Sequence, residues 1–188
     1  MNIQNSKAKH KSSLNVKMLA VSAMFAALVT VTTAFIKIPT SLGYSHAGDS
    51  MIYLGASVLP APFGIIAASI GGALADLLSG YANWALPTAV IKAFNALPFA
   101  LCSILLKRKG KGTKIINTPN ILMIIPTTMV TVGGYFLANS LMYGWAAAIG
   151  ELALCWLQPT VGAVFYIALG LVLDSIKFKQ KIFPETLR

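Results

Sequence analysis

Long apolar runs follow one another along almost the whole chain, and short polar or basic stretches separate them. A run of about 20 apolar residues is long enough to cross a bilayer as a helix. Prolines and glycines between the runs indicate where each helix begins or ends. The pattern predicts six helices, over about 16–37, 49–59, 63–79, 87–106, 120–142 and 151–176.

The second of these helices is too short to cross a bilayer of ordinary thickness, so either the bilayer thins locally or the loop before the helix dips into the protein. It extends only from Asp49 to about Leu59, because Pro60 and Pro62 follow. Eleven residues at a rise of about 1.5 Å reach roughly 16 Å, about half of a bilayer core. Irregular backbone at membrane depth is tolerated only where it is buried in protein or lines a cavity. We therefore predict that residues 40–48 form part of a cavity wall or lid.

The composition agrees with a membrane environment. Of the 188 residues, 56% are hydrophobic and 11% are charged, whereas soluble domains contain about 25% charged residues. The apolar run that follows Lys17 is longer than the apolar core of a signal peptide, so we interpret it as a retained helix. The sequence therefore predicts an all-α integral membrane protein with one membrane domain.

The net charge of +10 is concentrated in three basic blocks, over residues 7–17, 107–114 and 177–188. Loops rich in lysine and arginine stay on the cytoplasmic side of a membrane, which places both termini inside and gives six transmembrane helices. Blocks separated by apolar runs do not form the continuous basic face that binds nucleic acid. We expect a disordered basic tail over 1–15, the membrane domain over 16–176 and a basic cytoplasmic tail over 177–188.

Three ionisable residues interrupt the apolar segment 48–95, and ionisable groups inside a membrane are costly. Asp49 is well placed to cap the second helix at its start. Asp76 lies about one turn from the outer end of the third helix, and Lys92 lies at a similar depth in the antiparallel fourth helix. We predict a structural charge pair between Asp76 and Lys92. Direct contact of either residue with a ligand is the alternative.

Polar and aromatic side chains capable of recognition cluster towards the outer halves of the predicted helices. This asymmetry predicts an outward-facing pocket, in which rings stack on a planar ligand and polar groups orient it. Trp84 also suits an interfacial aromatic belt, and Glu151 also suits the start of a helix. The candidate substrate-binding residues are Tyr44, His46, Asn83, Trp84, Asn95, Tyr135, Asn139, Glu151 and Gln158.

Catalytic motifs are absent from the sequence, which has no G-x-S-x-G elbow, no HExxH and no P-loop. Of two histidines, His10 lies in the N-terminal tail, so a histidine-rich metal site is not expected. We predict that the chain is not an enzyme and holds no metal or cofactor. Active transport would then need a partner ATPase or an ion gradient. In the second case Asp76 and Lys92 would form an ion or proton relay in a self-sufficient secondary transporter or channel.

Ala23 and Ala27 stand four residues apart in the first helix, a spacing of small residues that lets another helix approach closely. From the pattern alone, packing inside the chain is favoured over packing against another subunit. Further along, Gly48-Asp49, Leu54-Gly55-Ala56 and the run 76–81 (DLLSGY) precede Lys92. With the short spans, these residues resemble the substrate-binding S components of energy-coupling factor (ECF) vitamin transporters, in their riboflavin-transporter-like branch.

The resemblance implies a subunit that captures a vitamin outside the bacterial plasma membrane. It would associate with a transmembrane coupling subunit (the T component) and with two cytoplasmic ATPases, which use the ATP. The resemblance also implies that Ala23 and Ala27 meet the coupling subunit, and that the pocket lies under the first outer loop. A ring-stacking aromatic, a carboxylate and amides favour hydroxymethylpyrimidine or a pyridoxine-like vitamin. Riboflavin or another vitamin is the alternative ligand.

Overall fold

The computed structural model describes residues 3–184 of the protein, with side chains from residue 16 onward. Helices account for most of that length, together with one short antiparallel hairpin and a 3-10 turn at Ala82–Trp84. The elements in chain order are α1 (Ile3–Phe35), β1 (Lys37–Pro39), β2 (Tyr44–His46), α2 (Asp49–Val58), α3 (Ala61–Leu78), α4 (Ala85–Arg108), α5 (Thr118–Leu122), α6 (Ile124–Tyr143), α7 (Trp145–Cys155), α8 (Leu157–Ser175) and α9 (Phe178–Ile182).

Five stretches of the described chain are long and apolar enough to cross a membrane. They are Val16–Phe35, Ala61–Leu78, Ala82–Arg108, Thr118–Tyr143 and Trp145–Ser175. The short helix α2 is a separate helix of 10 residues, as its bounding residues predict. The fold is therefore that of a mostly helical, multi-pass membrane protein. Six crossings and cytoplasmic termini stay predictions.

The termini and one loop differ from the sequence-based expectation. Helix α1 begins at Ile3, so the backbone over residues 3–15 is helical where we predicted a disordered tail; residues 1–2 lie outside the described part. The segment 143–150, between the predicted fifth and sixth helices, contains the start of α7 at Trp145. In the predicted C-terminal tail, residues 178–182 form α9 and Lys179 is buried, while 185–188 lie outside the described residues.

Two helices are interrupted four residues before a proline. Proline has no backbone N–H and its ring clashes with the carbonyl group four residues earlier. Pro126 stands four residues after Leu122, where α5 ends, and Pro159 stands four residues after Cys155, where α7 ends. The same rule explains why the predicted fifth and sixth helices are each divided in two.

The short helix α2 lies at the centre of the bundle, where it packs against α1, α3, α4 and α8. Tyr53 of α2 is buried and stacks on Phe99 of α4, with ring centroids 5.0 Å apart. Tyr166 of α8 meets both rings edge-on, at 5.9 and 5.2 Å. Polar groups in a membrane need partners inside the protein. The Tyr166 hydroxyl has one in the Ser57 hydroxyl, which lies 3.2 Å away.

Helix α1 packs on α3 through small residues. A Cβ on Gly71 would lie 2.7 Å from the carbonyl oxygen of Ala26, so only glycine permits this approach. The Thr30 hydroxyl donates to the Gly71 carbonyl at 3.0 Å, and the Ser22 hydroxyl donates to the Phe63 carbonyl at 3.1 Å. The face of α1 that carries Ser22 and Thr30 is thereby occupied within the chain.

Candidate functional site

A cavity of about 60 Å³ lies between the β1–β2 hairpin and the neighbouring ends of α3, α4, α6, α7 and α8. A water molecule needs about 10–15 Å³ of such space, so the cavity has room for a small group of waters or a compact ring. Of the predicted substrate-binding residues, those that line it are Tyr44, His46, Trp84, Tyr135, Asn139, Glu151 and Gln158.

The hairpin supplies one complete wall of the cavity. Strand β1 pairs with β2 so that Lys37 stands opposite His46 and Pro39 stands opposite Tyr44. The connecting turn reaches α7, where the backbone N–H of Leu42 donates to Oε1 of Glu151 at 2.9 Å. Thr40 and residues 42–46 line the cavity. The prediction that residues 40–48 contribute to a cavity wall is therefore confirmed, with a hairpin in place of irregular loop.

Tyr44 connects the hairpin to α3. Its hydroxyl donates to Oδ1 of Asp76, its ring lies 5.1 Å from the ring of Tyr81, and Nζ of Lys37 lies 4.6 Å above it. Burial and the neighbouring Asp76 carboxylate raise the pKa of the Tyr44 hydroxyl. The hydroxyl therefore stays protonated and keeps its role as a donor.

His46 is buried and neutral at the wall of the cavity. Burial and the positive charge of Lys92, with a smaller contribution from Lys37, lower the pKa of its imidazole to about 3, against the opposing effect of Asp49. Its Nδ1 accepts the backbone N–H of Gly48 at 3.1 Å. An imidazole that accepts at Nδ1 carries its proton on Nε2. His46 therefore offers Nε2–H as a donor.

The buried ion pair of the site joins Lys92 to Asp49. Nζ of Lys92 lies 2.6 Å from Oδ1 of Asp49, and both side chains are fully buried. The predicted pair between Asp76 and Lys92 was wrong, because Asp76 is hydrogen-bonded to Tyr44 instead. The predicted N-cap role of Asp49 was also wrong, since Asp49 is the first residue of α2 and makes no capping hydrogen bond.

Asp49 also receives hydrogen bonds from three other helices, all on its Oδ2 atom. The donors are Nδ2 of Asn95 at 3.3 Å, the Thr131 hydroxyl at 3.4 Å and Nε2 of Gln158 at 3.1 Å. Gly162 of α8 makes this approach possible, because a Cβ there would lie 2.8 Å from Cβ of Asp49. A buried carboxylate with a lysine and several donors is satisfied, so this cluster is a structural floor beneath the cavity.

Two of the predicted substrate-binding residues lie away from the cavity wall. Asn95 belongs to the polar cluster around Asp49 and is fully buried. Asn83 is exposed on the 3-10 turn, where its Nδ2 donates to the Tyr143 hydroxyl at 3.0 Å. The sequence placed Asn83 and Asn95 on the outer side of the membrane domain, and their positions agree with that. The depth of a residue does not specify the direction of its side chain, so it could not show that neither lines the cavity.

Ala23 and Ala27 are both exposed on α1, whereas Ser22 and Thr30 contact α3. The spacing of small residues favoured packing of Ala23 and Ala27 against another helix of the same chain. The structure shows no such packing at these two residues. The exposed face leaves room for another helix.

Several lining residues were missed from the sequence. Thr88 stands four residues before Lys92 in α4, so helical spacing offered a signal for it. Cys155 also lines the cavity. Leu42 lies in the predicted segment 40–48, but the side-chain pattern carried no signal for the hydrogen bond that its backbone N–H donates.

Three buried polar atoms at the cavity wall have no hydrogen-bond partner among the described residues. They are Oδ2 of Asp76, Nε1 of Trp84 and Oδ1 of Asn139. An unsatisfied buried polar group costs about 1–3 kcal/mol, so each of these atoms would gain from a hydrogen-bond partner. No group of three potential metal-ligating side chains occurs in the described part of the chain.

Comparison with known proteins identifies a family and a relative. The family model described as "ECF-type riboflavin transporter, S component" matches residues 13–175. A Pyrococcus woesei protein described as "Uncharacterized protein in gap 3'region" is 35% identical over 159 residues, which cover 83% of this chain and 97% of that protein.

Proposed function

This chain belongs to the family of ECF-type riboflavin transporter S components, and we propose that it captures a single-ring vitamin in the outer cavity for an ATP-driven importer. The family comprises substrate-binding subunits of vitamin transporters and is not a family of enzymes. Such subunits work with a T component and ATPases. In the proposed complex this chain is a multi-pass subunit of the cell membrane with both termini in the cytoplasm, and ATP is hydrolysed by its partners.

The size of the cavity supports a compact ligand. About 60 Å³ of space beneath the hairpin suits one ring with short substituents better than three fused rings with a long side chain. The rings of Trp84 and Tyr135, with centroids 5.8 Å apart, border this space and offer faces or edges to a planar ligand.

The unpaired polar atoms support an amino-substituted ring. In the proposed complex a hydroxymethyl group and either an exocyclic amine (hydroxymethylpyrimidine) or a ring hydroxyl (a pyridoxine-like vitamin) donate to Asp76 Oδ2 and Asn139 Oδ1, while a ring nitrogen accepts from Trp84 Nε1. Among the described residues, the side chains at the wall include the carboxylates of Asp76 and Glu151 and no lysine or arginine. Such a wall disfavours a phosphorylated ligand. The proposed ligand is therefore hydroxymethylpyrimidine or a pyridoxine-like vitamin in its unphosphorylated form.

Riboflavin is the second candidate, because the matching family model bears its name. Its three fused rings need more room than the 60 Å³ beneath the hairpin, so we expect its capture to move the hairpin away from Glu151. The two candidates therefore differ in whether the Leu42–Glu151 hydrogen bond survives binding.

The exposed face of α1 at Ala23 and Ala27 is the proposed contact with the T component. Small residues permit close approach of a second membrane helix. The alternative of a self-sufficient transporter with an Asp76–Lys92 relay has less support, because Asp76 is bonded to Tyr44 and Lys92 is bonded to Asp49.

The test compares two asparagine variants by calorimetry of the purified protein with hydroxymethylpyrimidine, pyridoxine and riboflavin. Asn139→Ala removes an unpaired acceptor at the cavity and should weaken binding of the single-ring ligand about 5- to 150-fold, as for a lost buried hydrogen bond of about 1–3 kcal/mol. Asn83→Ala is the matched control outside the cavity and should change nothing. Tighter binding of riboflavin than of both single-ring vitamins would refute the proposed ligand class.

A further inference from the structure

A long apolar groove lies on the membrane-facing side of the molecule, between α4 and the α5–α6 segment. Its volume is about 610 Å³, and the outer cavity does not share its lining. Phe94, Leu101 and Leu105 form the wall on α4, where their exposed fractions are 56%, 51% and 56%. Met123, Pro126 and Val130 belong to the facing wall.

The groove exists because α4 and α6 touch only along part of their length. Ile91 packs against Gly134, where a Cβ would lie 3.0 Å from Ile91 Cγ1, and the Thr127 hydroxyl donates to the Asn95 carbonyl at 3.2 Å. Beyond these contacts, towards the basic 107–114 segment, the two helices leave a gap that their own side chains do not fill.

Two lysines stand at one end of the groove and the remaining lining is almost entirely apolar. Lys109 and Lys111 line this end, and both are exposed. Neither has an ion-pair partner in the described part of the chain. Clustered lysines at the end of an apolar membrane groove are complementary to an anionic headgroup whose hydrocarbon chain lies in that groove.

The length of the groove also fits one leaflet. From Phe94 to Lys109, fifteen residues at about 1.5 Å each give roughly 22 Å. One leaflet contributes roughly half of the 30 Å hydrocarbon core, with the headgroup region beyond it. A lipid whose headgroup lies at Lys109 and Lys111 therefore has a chain that ends near Phe94.

We propose that this groove is a binding site for an anionic phospholipid of the leaflet on the side of the basic loop. The acyl chain packs along α4 and α6, and the phosphate-bearing headgroup pairs with Lys109 and Lys111. This site is separate from the vitamin cavity, and it does not depend on the identity of the vitamin.

The test is native mass spectrometry of the full chain released from nanodiscs that contain equal parts phosphatidylglycerol and phosphatidylcholine with identical acyl chains. Each lysine near an anionic lipid surface contributes about a 5-fold preference, so Lys109→Gln with Lys111→Gln should reduce retained phosphatidylglycerol about 30-fold. The matched control, Lys114→Gln with Lys181→Gln, removes the same charge from exposed positions outside the groove. This control should retain phosphatidylglycerol.

A third variant separates the groove from general surface attraction. Leu101→Trp fills the groove without altering the charge and should also reduce phosphatidylglycerol retention, while the intrinsic fluorescence melting temperature shows that the variant is folded. Equal retention of both lipids by the native chain would overturn the proposal. The proposal would also be overturned if the lysine variant lost phosphatidylglycerol while Leu101→Trp retained it. Loss of T-component association in Leu101→Trp, without any lipid preference in the native chain, would make the groove a protein interface instead.

Discussion

The Lys92–Asp49 ion pair should be the most sensitive point of the bundle to substitution. Both side chains are fully buried, and the N–O distance is 2.6 Å. Removal of one partner of a buried pair leaves an uncompensated charge and costs about 3–5 kcal/mol. For a chain of this size each kcal/mol shifts the melting temperature by about 2–4 °C. Lys92→Met should therefore lower it by about 6–20 °C.

A double-mutant cycle identifies the partner of Lys92. When Asp49→Asn is added to Lys92→Met, the buried charge disappears, so the double variant should recover part of the loss. The coupling free energy between these positions should reach about 1–3 kcal/mol, whereas Asp76→Asn should couple to Lys92→Met by less than about 0.5 kcal/mol. Tryptophan fluorescence during thermal unfolding in detergent measures all four corners of each cycle.

The coupling free energy between Lys92 and Asp76 tests whether Asp49 is the partner of Lys92. A coupling to Asp76 that equals or exceeds the coupling to Asp49 would show that Lys92 is shared between the two acids, or paired as the antiparallel helices alone suggest. A melting temperature for Lys92→Met within 2 °C of the native value would contradict the idea that this charge is buried at all.

Four further outcomes are expected. Glu151→Gln keeps an acceptor for the Leu42 N–H but removes from the cavity wall a carboxylate that can accept from the ligand's amine, so affinity for an amino-substituted ring should fall about 10- to 100-fold in calorimetry with the melting temperature unchanged. Because the pKa of His46 is lowered to about 3, the unfolded chain takes up its proton first, and stability should fall as pH decreases below about 6.5; His46→Gln should flatten that slope. Burial lowers the pKa of Lys179 to about 8, so stability should rise between pH 8 and about 10.5, and a flat profile there would contradict its burial. Ala23→Trp with Ala27→Trp should abolish co-purification with the T component while vitamin binding by the isolated chain persists, and loss of that binding would count against a docking role.

The helices were predictable because their signals are local. Prolines, glycines and basic loops indicated α2, α3 and α4 to within a few residues, since each helix is bounded by residues that act on their own neighbours. The divisions at Met123 and Trp156 were missed, although Pro126 and Pro159 are visible in the sequence. The hairpin was also missed, because the strands Lys37–Pro39 and Tyr44–His46 have only three residues each and no alternating pattern.

The partner of Lys92 illustrates how the site was only partly predictable. Matching depths along two antiparallel helices placed Asp76 beside Lys92, but depth does not specify the rotation of a helix about its axis. A stronger argument was available from α2. If this helix ends at Pro60 near the membrane surface, ten residues at about 1.5 Å place Asp49 roughly 15 Å inside a bilayer core of about 30 Å. A carboxylate at that depth cannot be a solvated cap and needs a buried cation. Among the lysines, Lys92 stands alone in the middle of an apolar segment, so the shortness of α2 already implied the pair that the structure contains.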